Sequence, residues 1–351
     1  MTTPSPLERS DPGSPFRDPL GILASTAYVI EKTTAVRIDR EAVTRLAAEM
    51  AVARTAPPPW DAALHFRDPA PDGGARTAGW IFALDALNFC FWSEEPDPDD
   101  RWCVAWRGET HDGYNALAAA LSRAVEEGRP LWDARWLAGV SAEELQDVLR
   151  PVPGSPGIPL FAAWLANLHE LGAGLLAMES TGESPVATLI ARASGSAPAL
   201  VQDVVRRFPS FNDVAIRDGR EIRFYKRAQI LVADLAGALE GDPLGSFHDL
   251  ASLTAFADYK VPQVLQRLGI LVYEPELLAR IRRRDLIPAG SDDEIAIRAA
   301  TIQACEAIRL ALQERSSIPF MASEVDWLLW NAGQSLPVGS DPYHRTLTVF
   351  Y

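Results

Sequence analysis

Cysteine and histidine are scarce in this sequence, and those present lack the spacing of a metal site. Cys90, Cys103 and Cys305 are the three cysteines, none in a CxxC pair, and the five histidines form neither HExxH nor HxH. Zinc sites and disulfide frameworks need closely spaced or even sets of these residues. The sequence therefore predicts no metal site, and its few cysteines are typical of a protein in the reducing cytoplasm.

Long apolar runs and an excess of basic residues are also missing. No run of about 18 apolar residues occurs, so a membrane-spanning helix is not predicted. The 33 Lys and Arg residues against 47 Asp and Glu residues give a net charge of −14. Affinity for duplex DNA comes from neutralising its phosphates, which such an acidic chain does poorly. We expect no DNA, no membrane and no obligate protein partner.

Motifs that mark several enzyme classes are absent as well. GxGxxG, GxxxxGK[ST] and GxSxG do not occur, which argues against dehydrogenases, nucleoside triphosphatases and hydrolases with a nucleophile elbow. The chemistry of the chain must therefore be sought among its carboxylates, its aromatic side chains and a few basic residues.

What is present is an ordinary globular composition, with 48% hydrophobic and 23% charged residues. The 351 residues suffice for one large domain. Residues 1–18 are rich in Pro, Ser and Asp, which predicts a disordered leader and not a signal peptide. We predict a single domain over residues 19–351, in which PVPGSPGIP (151–159) can mark an internal lobe boundary or a loop.

Helical periodicity dominates the chain, and we predict a mainly α fold with a few short strands. Strands are expected at VRID (36–39), at 101–109 and in a hairpin whose turn is Asp218-Gly219. The apolar segment 79–92 is compatible with either a buried strand or a buried helix. No βαβ alternation is visible, which disfavours a parallel sheet. Helices are expected at 20–33, 40–53, 115–127, 141–150, 160–178, 184–194, 197–207, 226–239, 248–257, 261–269, 275–283, 292–314 and 323–332.

Three acidic residues stand among aromatic side chains and are candidates for a site. Asp258 lies between Phe256 and Tyr259 and is either a reactive acid in dry surroundings or the cap of the helix that contains Pro262. Asp326 either forms a capping box with Ser323 or binds a cationic ligand beside Trp327 and Trp330. Asp234 occupies a helix interior, which is unfavourable unless the acid is paired.

Two basic candidates remain ambiguous. Lys226 and Arg227 follow a predicted strand directly, and such a strand-to-helix junction either binds a phosphate with the help of helix N–H groups or is a solvated edge. His65 follows a short helical pattern and is either a ligand contact or an ordinary packing residue. From these residues alone the sequence predicts an acid-based site lined with aromatic rings, without specifying a reaction.

Several separated motifs resemble the queuosine salvage protein family, whose members are queuosine 5′-phosphate N-glycosylases. The resemblance covers the chain from about Val36 to its last residue, with the motifs in the family order. These motifs are DALNFCFW (85–92), FPSFNDVAIRDGREIRFYKRAQILVADL (208–235), LTAFADYKVPQVLQRLGIL (253–271), EIAIRAATIQACEAI (294–308), DWLLW (326–330) and PYHRTLTVFY (342–351).

This resemblance implies a largely helical single domain similar to helix-hairpin-helix DNA glycosylases. It also implies release of the 7-deazaguanine base queuine from queuosine 5′-monophosphate, for reuse in tRNA modification, without a metal or organic cofactor. The small nucleotide substrate agrees with the acidic net charge.

Site residues follow from the same resemblance. Its FADY motif implies that Asp258 is the catalytic acid, beside Phe256 and Tyr259. Asp326 is implied to contact the base, and His65 corresponds to a family histidine. Lys226 lies in the matching YKRAQ motif, and we predict it as a phosphate contact, with Phe256, Tyr259 and Trp330 stacking the base. Asn331 stands where family members carry an acid.

Two other functions remain open at this point. One is a nucleosidase for an unphosphorylated purine or 7-deazapurine nucleoside, which a requirement for the 5′-phosphate would distinguish. The other is a non-catalytic helical module that binds a modified base. A DNA repair glycosylase is suggested only by fold analogy, and the net charge argues against it.

Overall fold

The computed structural model describes residues 18–57, 59–92, 101–178, 184–337 and 339–351. The predicted disordered leader at residues 1–18 lies outside this part of the chain, apart from Asp18. Asp18 accepts a hydrogen bond from the N–H of Ala24 and so caps the first turn of the first helix.

Helices make up most of the described chain, as the periodicity predicts. Their bounds are α1 Ile22–Lys32, α2 Arg40–Val52, α3 Gly74–Ala86, α4 Gly113–Glu126, α5 Ala134–Gly139, α6 Ala142–Val148, α7 Phe161–Leu176, α8 Pro185–Arg192, α9 Ala197–Arg207, α10 Lys226–Ala238, α11 Lys260–Arg267, α12 Pro275–Arg282, α13 Asp292–Gln313 and α14 Ala322–Gly333. Short 3₁₀ turns lie at Pro209–Phe211, Pro243–Gly245 and Leu250–Ser252. None of the described helices is long and apolar enough to cross a membrane.

In the described part of the chain, six short strands form three antiparallel pairs. They are β1 Val36–Ile38, β2 Cys103–Trp106, β3 Glu109–Asp112, β4 Val214–Arg217, β5 Arg220–Arg223 and β6 Leu271–Tyr273. Strand β1 pairs with the distant β6, with Val36 opposite Tyr273, while β2–β3 and β4–β5 are hairpins. Asp218 and Gly219 both have positive φ, the conformation that a two-residue hairpin turn requires. The mainly α fold with a few strands is confirmed, and the likeness to helix-hairpin-helix glycosylases stays a prediction.

Three local predictions change in the structure. Segment 79–92 is helical up to Ala86, and its periodicity is hidden because α3 is buried almost all round. Helix α4 begins at Gly113, two residues before the start of the helix predicted at 115–127. The predicted helix at 248–257 is wrong, since only a 3₁₀ turn forms there.

Backbone groups of that segment are instead satisfied by side chains from other helices. The N–H of Thr254 donates to Gln229 Oε1 at 2.8 Å, and the N–H of Phe256 donates to Asp326 Oδ1 at 2.9 Å. Buried N–H groups need partners, and these two find theirs in α10 and α14. The segment is therefore extended and carries Phe256 and Asp258 between those helices.

A buried ion pair fixes the start of α10. Asp213 accepts the N–H of Lys226 at 3.1 Å and forms a bidentate pair with Arg298 of α13, at 2.9 and 2.5 Å. Arg298 also donates to the carbonyl of Ala257 at 3.1 Å. Because the Arg298 guanidinium bonds to Asp213 and to the carbonyl of Ala257, it fixes the position of Lys226 relative to Asp258.

Apolar residues on both sides of 151–159 share one core. The rings of Trp102 and Trp164 meet edge to face at 6.0 Å, and both side chains are fully buried. This packing favours the interpretation of 151–159 as a loop between two parts of one core. Our single-domain assignment for residues 19–351 stays a prediction.

Candidate functional site

A cavity of about 640 Å³ opens between α10, α14 and the extended segment that precedes α11. Helix α10 contributes Lys226, Ile230 and Asp234, which recur every four residues and so lie on one helix face. Six of the seven predicted site residues line it: Lys226, Phe256, Asp258, Tyr259, Asp326 and Trp330. His65 lies just behind the wall, against Trp60 and Tyr114, whose side chains do line the cavity.

Asp258 both caps a helix and lines the cavity, which are the two roles that the sequence left open. Its Oδ1 accepts the N–H groups of Lys260 and Val261, each at 2.9 Å, and so caps α11. Its side chain also lines the cavity while the residue is 8% exposed. The two backbone N–H groups thus hold Oδ1, and the same two hydrogen bonds fix the position of Oδ2.

Asp326 does not form the predicted capping box with Ser323. Helix α14 begins one residue earlier, and the N–H of Met321 donates to Glu324. Asp326 instead faces the extended segment and accepts the N–H of Phe256 at 2.9 Å. A side chain from one helix thereby places the segment that carries Asp258.

Lys226 is a buried cation surrounded by acids. It is 5% exposed, and its Nζ donates to the carbonyl of Asn88 at 3.4 Å. Burial lowers its pKa, and the charges of Asp258, Asp85 and Asp326 oppose that change. The strand-to-helix junction is where we predicted it, but the first helix N–H there donates to Asp213, so its assistance to a phosphate is excluded.

The second cation of that junction is structural. Arg227 is 1% exposed and donates to the carbonyls of Asp85 and Ala86, at 3.1 and 2.6 Å, and to that of Ser210. Its guanidinium also lies over the ring of Phe211, 4.7 Å from the centroid. Arg227 therefore holds α3 to α10 and does not reach the cavity.

Two carboxyl groups in this cluster have unequal pKa values. Burial raises the pKa of Asp258, against the lowering effects of Lys226 and two backbone N–H groups. Burial raises the pKa of Asp326 well above its ordinary value, and the charge of Asp258 adds to that rise. Burial and the charge of Asp258 thus favour the protonated form of Asp326, whereas Lys226 and the two backbone N–H groups favour the ionised form of Asp258.

The polar side chains of His65, Tyr114, Asp234 and Trp60 are connected to one another along the cavity wall. His65 Nδ1 donates to the carbonyl of Asp61 at 2.5 Å, and its Nε2 lies 2.7 Å from the Tyr114 hydroxyl oxygen, which also lies 3.3 Å from Asp234 Oδ2. Burial lowers the pKa of His65 to about 4, so its ring is neutral at pH 7. Trp60 Nε1 donates to the other oxygen of Asp234 at 3.1 Å. These bonds provide the pairing that an acid inside α10 requires.

Close packing at Gly237 makes this arrangement possible. A Cβ added there would lie 2.5 Å from Cγ of Trp60. Only a glycine lets the indole lie flat against α10, one turn beyond Asp234. Burial raises the pKa of Asp234 to about 6, and the two donors oppose that rise.

Aromatic rings cover the remaining wall. Trp327 and Trp330 are stacked at 5.2 Å with an angle of 5° between their planes, and Tyr114 meets Trp330 edge-on at 5.9 Å. The ring centroids of Tyr259 and Tyr343 lie 4.8 Å apart. Flat faces and acids together suit a planar, nitrogen-rich ring system.

Four contributors to the site were missed in the sequence. Asp85 is fully buried beside Lys226 and Asp234, and burial raises its pKa well above the ordinary value. A lone acid in the apolar run GWIFALDALNF was the available signal for it. Arg101, Lys260 and Tyr343 line the cavity without any such signal, because only the fold brings them together. In the described part of the chain no group of three or more His, Cys, Asp or Glu side chains has a metal-binding arrangement.

Comparison with known proteins gives consistent matches over most of the chain. A family model described as "Queuosine salvage protein" matches residues 67–351. A Sphaerobacter thermophilus protein named queuosine 5′-phosphate N-glycosylase/hydrolase is 48% identical over 342 residues, covering 97% of this chain and 100% of that protein. Proteins of the same name from Mus musculus and Schizosaccharomyces pombe are 36% and 31% identical, over 95% and 73% of this chain and 99% and 74% of their own.

Proposed function

This chain belongs to the queuosine salvage protein family, and we propose that it hydrolyses queuosine 5′-phosphate to queuine and ribose 5-phosphate. The reaction is N-glycosidic bond hydrolysis, and it returns the base for tRNA modification. The observation that carries the proposal is the placement of the Asp258 carboxylate in a cavity walled by aromatic rings and by a second carboxyl group, that of Asp326.

Asp258 acts on the sugar. As the bond between the anomeric carbon and the base nitrogen breaks, positive charge develops on the anomeric carbon and the ring oxygen. An ionised carboxylate fixed beside them stabilises that charge and orients the attacking water. The water oxygen bonds to the anomeric carbon, and its proton is lost as the base nitrogen gains one. The charge of Lys226 lowers the pKa of Asp258 and so favours its ionised form.

Asp326 acts on the base. Burial and the charge of Asp258 both raise the pKa of its carboxyl group, which favours the protonated form. A neutral carboxyl group is a hydrogen-bond donor to an acceptor on the guanine-like edge. A 7-deazapurine lacks N7 as a protonation site, so such a donor on its remaining edge stabilises the departing base.

The base lies between aromatic side chains, with Asp234 at its far end. Phe256, Tyr259 and Trp330 supply stacking faces, worth about 1–3 kcal/mol for each base–ring contact. Asp234 is two helical turns from Lys226, about 12 Å along α10. With a pKa of about 6 it is ionised at pH 7, so it suits the secondary ammonium of queuine. The Tyr114 hydroxyl lies between His65 Nε2 and Asp234 Oδ2, so these two side chains fix its position.

The direct test is incubation with queuosine 5′-monophosphate and mass-spectrometric detection of free queuine. We expect stoichiometric release of queuine and ribose 5-phosphate by the unchanged chain and none by Asp258→Asn. Binding of the nucleotide without turnover by the unchanged chain would instead favour the non-catalytic module. Faster release from queuosine than from its 5′-phosphate would favour the nucleosidase. No observation favours either alternative, and we place the enzyme in the cytoplasm as part of this proposal.

A further inference from the structure

Tyr351 is a buried side chain of the cavity wall to which the proposed reaction assigns no role. The residue is 2% exposed, and it lines the cavity. Its carbonyl accepts the N–H of Cys90 at 3.0 Å, and its hydroxyl oxygen lies 3.3 Å from His344 Nε2. Burial raises the pKa of the phenol well above its ordinary value, so the hydroxyl keeps its proton. Tyr351 therefore adds no charge to the site, and its effect must come from what its ring contacts.

The ring of Tyr351 packs on the guanidinium of Arg298. The guanidinium carbon lies 4.4 Å from the centroid of that ring and 4.0 Å from the centroid of the Phe224 ring. All three side chains belong to residues that are almost fully buried. A planar guanidinium forms its hydrogen bonds in its plane and stacks its faces on aromatic rings. The two rings therefore restrict the tilt of this plane without taking any of its hydrogen bonds.

The plane of that guanidinium determines the geometry of the reacting centre. Arg298 binds Asp213 through two nitrogens, and its Nε donates to the carbonyl of Ala257 at 3.1 Å. Asp213 also accepts the N–H of Lys226, and Asp258 follows Ala257 directly. Because the two acceptors lie on different segments, both are satisfied in one orientation of the group. A tilt of the plane would move the Asp258 carboxylate relative to Lys226.

A second acid competes for the same guanidinium. Glu294 lies one turn before Arg298 on α13, and its Oε1 is 3.5 Å from NH1 of that arginine. Rotation of the guanidinium toward Glu294 would shorten this contact at the expense of the bond to Ala257. The stacked rings oppose that rotation, and the Tyr351 hydroxyl also interacts with the Glu294 carboxyl group. His344 beside them is neutral, since burial and the charge of Arg298 lower its pKa to about 3.

We propose that Tyr351 is a positioning residue, which acts on the reaction through Arg298 and Asp258 without touching the reacting atoms. Its ring keeps the guanidinium in the plane that satisfies both acceptors, and the segment before α11 then holds the carboxylate where the cationic sugar forms. This inference rests on the proposed function. It gives the motif PYHRTLTVFY (342–351) a task in catalysis, whereas a merely structural ring would stabilise the fold without affecting kcat.

The test measures turnover of queuosine 5′-phosphate by Tyr351→Leu, which removes the ring but keeps an apolar side chain. We expect kcat to fall about 10- to 100-fold, since a displacement of about 1 Å at a reacting centre can cost a hundredfold. KM, and the dissociation constant of queuine measured by calorimetry, should change less than about threefold. Tyr351→Phe keeps the ring and should retain at least about a third of kcat.

Tyr273→Leu is the matched control. Tyr273 is a similarly buried tyrosine, which lies in β6 opposite Val36 and is not part of the cavity wall. Loss of its ring should lower the melting temperature about as much as Tyr351→Leu does, while kcat stays within about twofold. Comparable losses of kcat in both variants would mean that Tyr351 acts only through general stability, and the positioning role would be wrong.

The Asp258→Asn background supplies a second decision. There, Tyr351→Leu should lower single-turnover release by less than about twofold, because the carboxylate that it positions is already gone. A further loss of full size, or a raised KM in place of a lowered kcat, would overturn the proposal. If the unchanged chain releases no queuine, the proposed function fails instead. Crystal structures of Tyr351→Leu then decide the inference alone: it stands if the bond from Arg298 to Ala257 is lost and falls if that bond persists.

Discussion

At the scale of single residues, Asp258 combines a structural and a chemical task in one carboxyl group. The oxygen that caps α11 is satisfied by two N–H groups, and asparagine can accept both bonds through its amide oxygen. Asparagine has no negative charge, however, and cannot stabilise a cationic sugar. The two tasks can therefore be separated by one substitution.

We predict that Asp258→Asn lowers kcat at least about a hundredfold and leaves nucleotide binding and the melting temperature nearly unchanged. The charge is needed chiefly in the transition state, where a preorganised group of this kind contributes roughly 3 kcal/mol or more. Single-turnover kinetics, calorimetric binding and a thermal melt measure the three quantities. Near-normal queuine release by the folded variant would show that Asp258 is only a helix cap.

The two acids of the site also determine how the rate depends on pH. The proposed mechanism requires Asp258 without its proton and Asp326 with its proton, so it predicts that kcat/KM rises through the pKa of Asp258 and falls through that of Asp326. Burial raises both, so both limbs lie above the ordinary range of an aspartate. The two acids interact, so the measured values belong to the pair.

For Asp326→Asn we expect a lower kcat/KM at pH 7 and the loss of the alkaline limb, because an amide does not titrate. The acid limb should change little, because the burial, the charge of Lys226 and the backbone N–H groups that set the pKa of Asp258 all remain. If Asp326 contacts the guanine-like edge, the rates with queuosine 5′-phosphate and with plain 7-deazaguanosine 5′-phosphate should fall by similar factors. A pH–rate profile measures this, and an unchanged alkaline limb would assign the proton to another group.

At the scale of elements, α10 and the segment before α11 are held together by the Asp213–Arg298 pair. Both side chains are 2% exposed, and their contacts reach the first N–H of α10 and the carbonyl of Ala257. Removing one partner leaves the other as an unpaired buried charge. The cost should therefore be large and should extend to the geometry around Asp258.

Arg298→Met should lower the free energy of unfolding by about 3–5 kcal/mol, the usual cost of leaving a buried charge unpaired. Arg282 offers a matched control, because it makes an equally bidentate pair with Asp341 at 2.9 and 3.0 Å while more than half of its side chain is exposed. Arg282→Met should cost far less, since water screens that pair. Urea unfolding of both variants measures the difference, and equal losses would contradict a structural role of the buried pair.

An element can be predicted from the sequence when its hydrogen bonds are local and its apolar residues lie on one face. Amphipathic helices such as α9 and α13 and the Asp218-Gly219 hairpin were predicted because local signals suffice for them. Helix α3 shows no period because it is buried all round. The segment 248–257 was mistaken for a helix because its N–H groups bond to Gln229 and Asp326, which are distant in sequence. Lys260 and Arg101 were missed for a similar reason, since only tertiary contacts bring them together.

At the scale of the whole molecule, a few cations lie among the acids of the cavity wall in a strongly acidic protein. The net charge is −14, and the cations at Lys260 and Arg101 lie inside the cavity. A free nucleotide brings one phosphate group to these cations. A polynucleotide brings many phosphates to an acidic surface that cannot neutralise them, which disfavours binding. On these grounds we expect the cavity to favour a mononucleotide over a nucleic acid.

We therefore predict that queuosine within an intact tRNA anticodon stem-loop is cleaved at least about a hundredfold more slowly than queuosine 5′-monophosphate. In the polymer the 5′-phosphate is a diester with one charge fewer and a neighbouring nucleotide attached, so it satisfies Lys260 and Arg101 less well. The flanking phosphates meet the acidic surface and add repulsion. Mass-spectrometric measurement of free queuine compares the intact stem-loop with the same stem-loop digested to 5′-mononucleotides by a nuclease. Comparable release before and after digestion would mean that the enzyme takes its base directly from RNA, and the role assigned to the charge would be wrong.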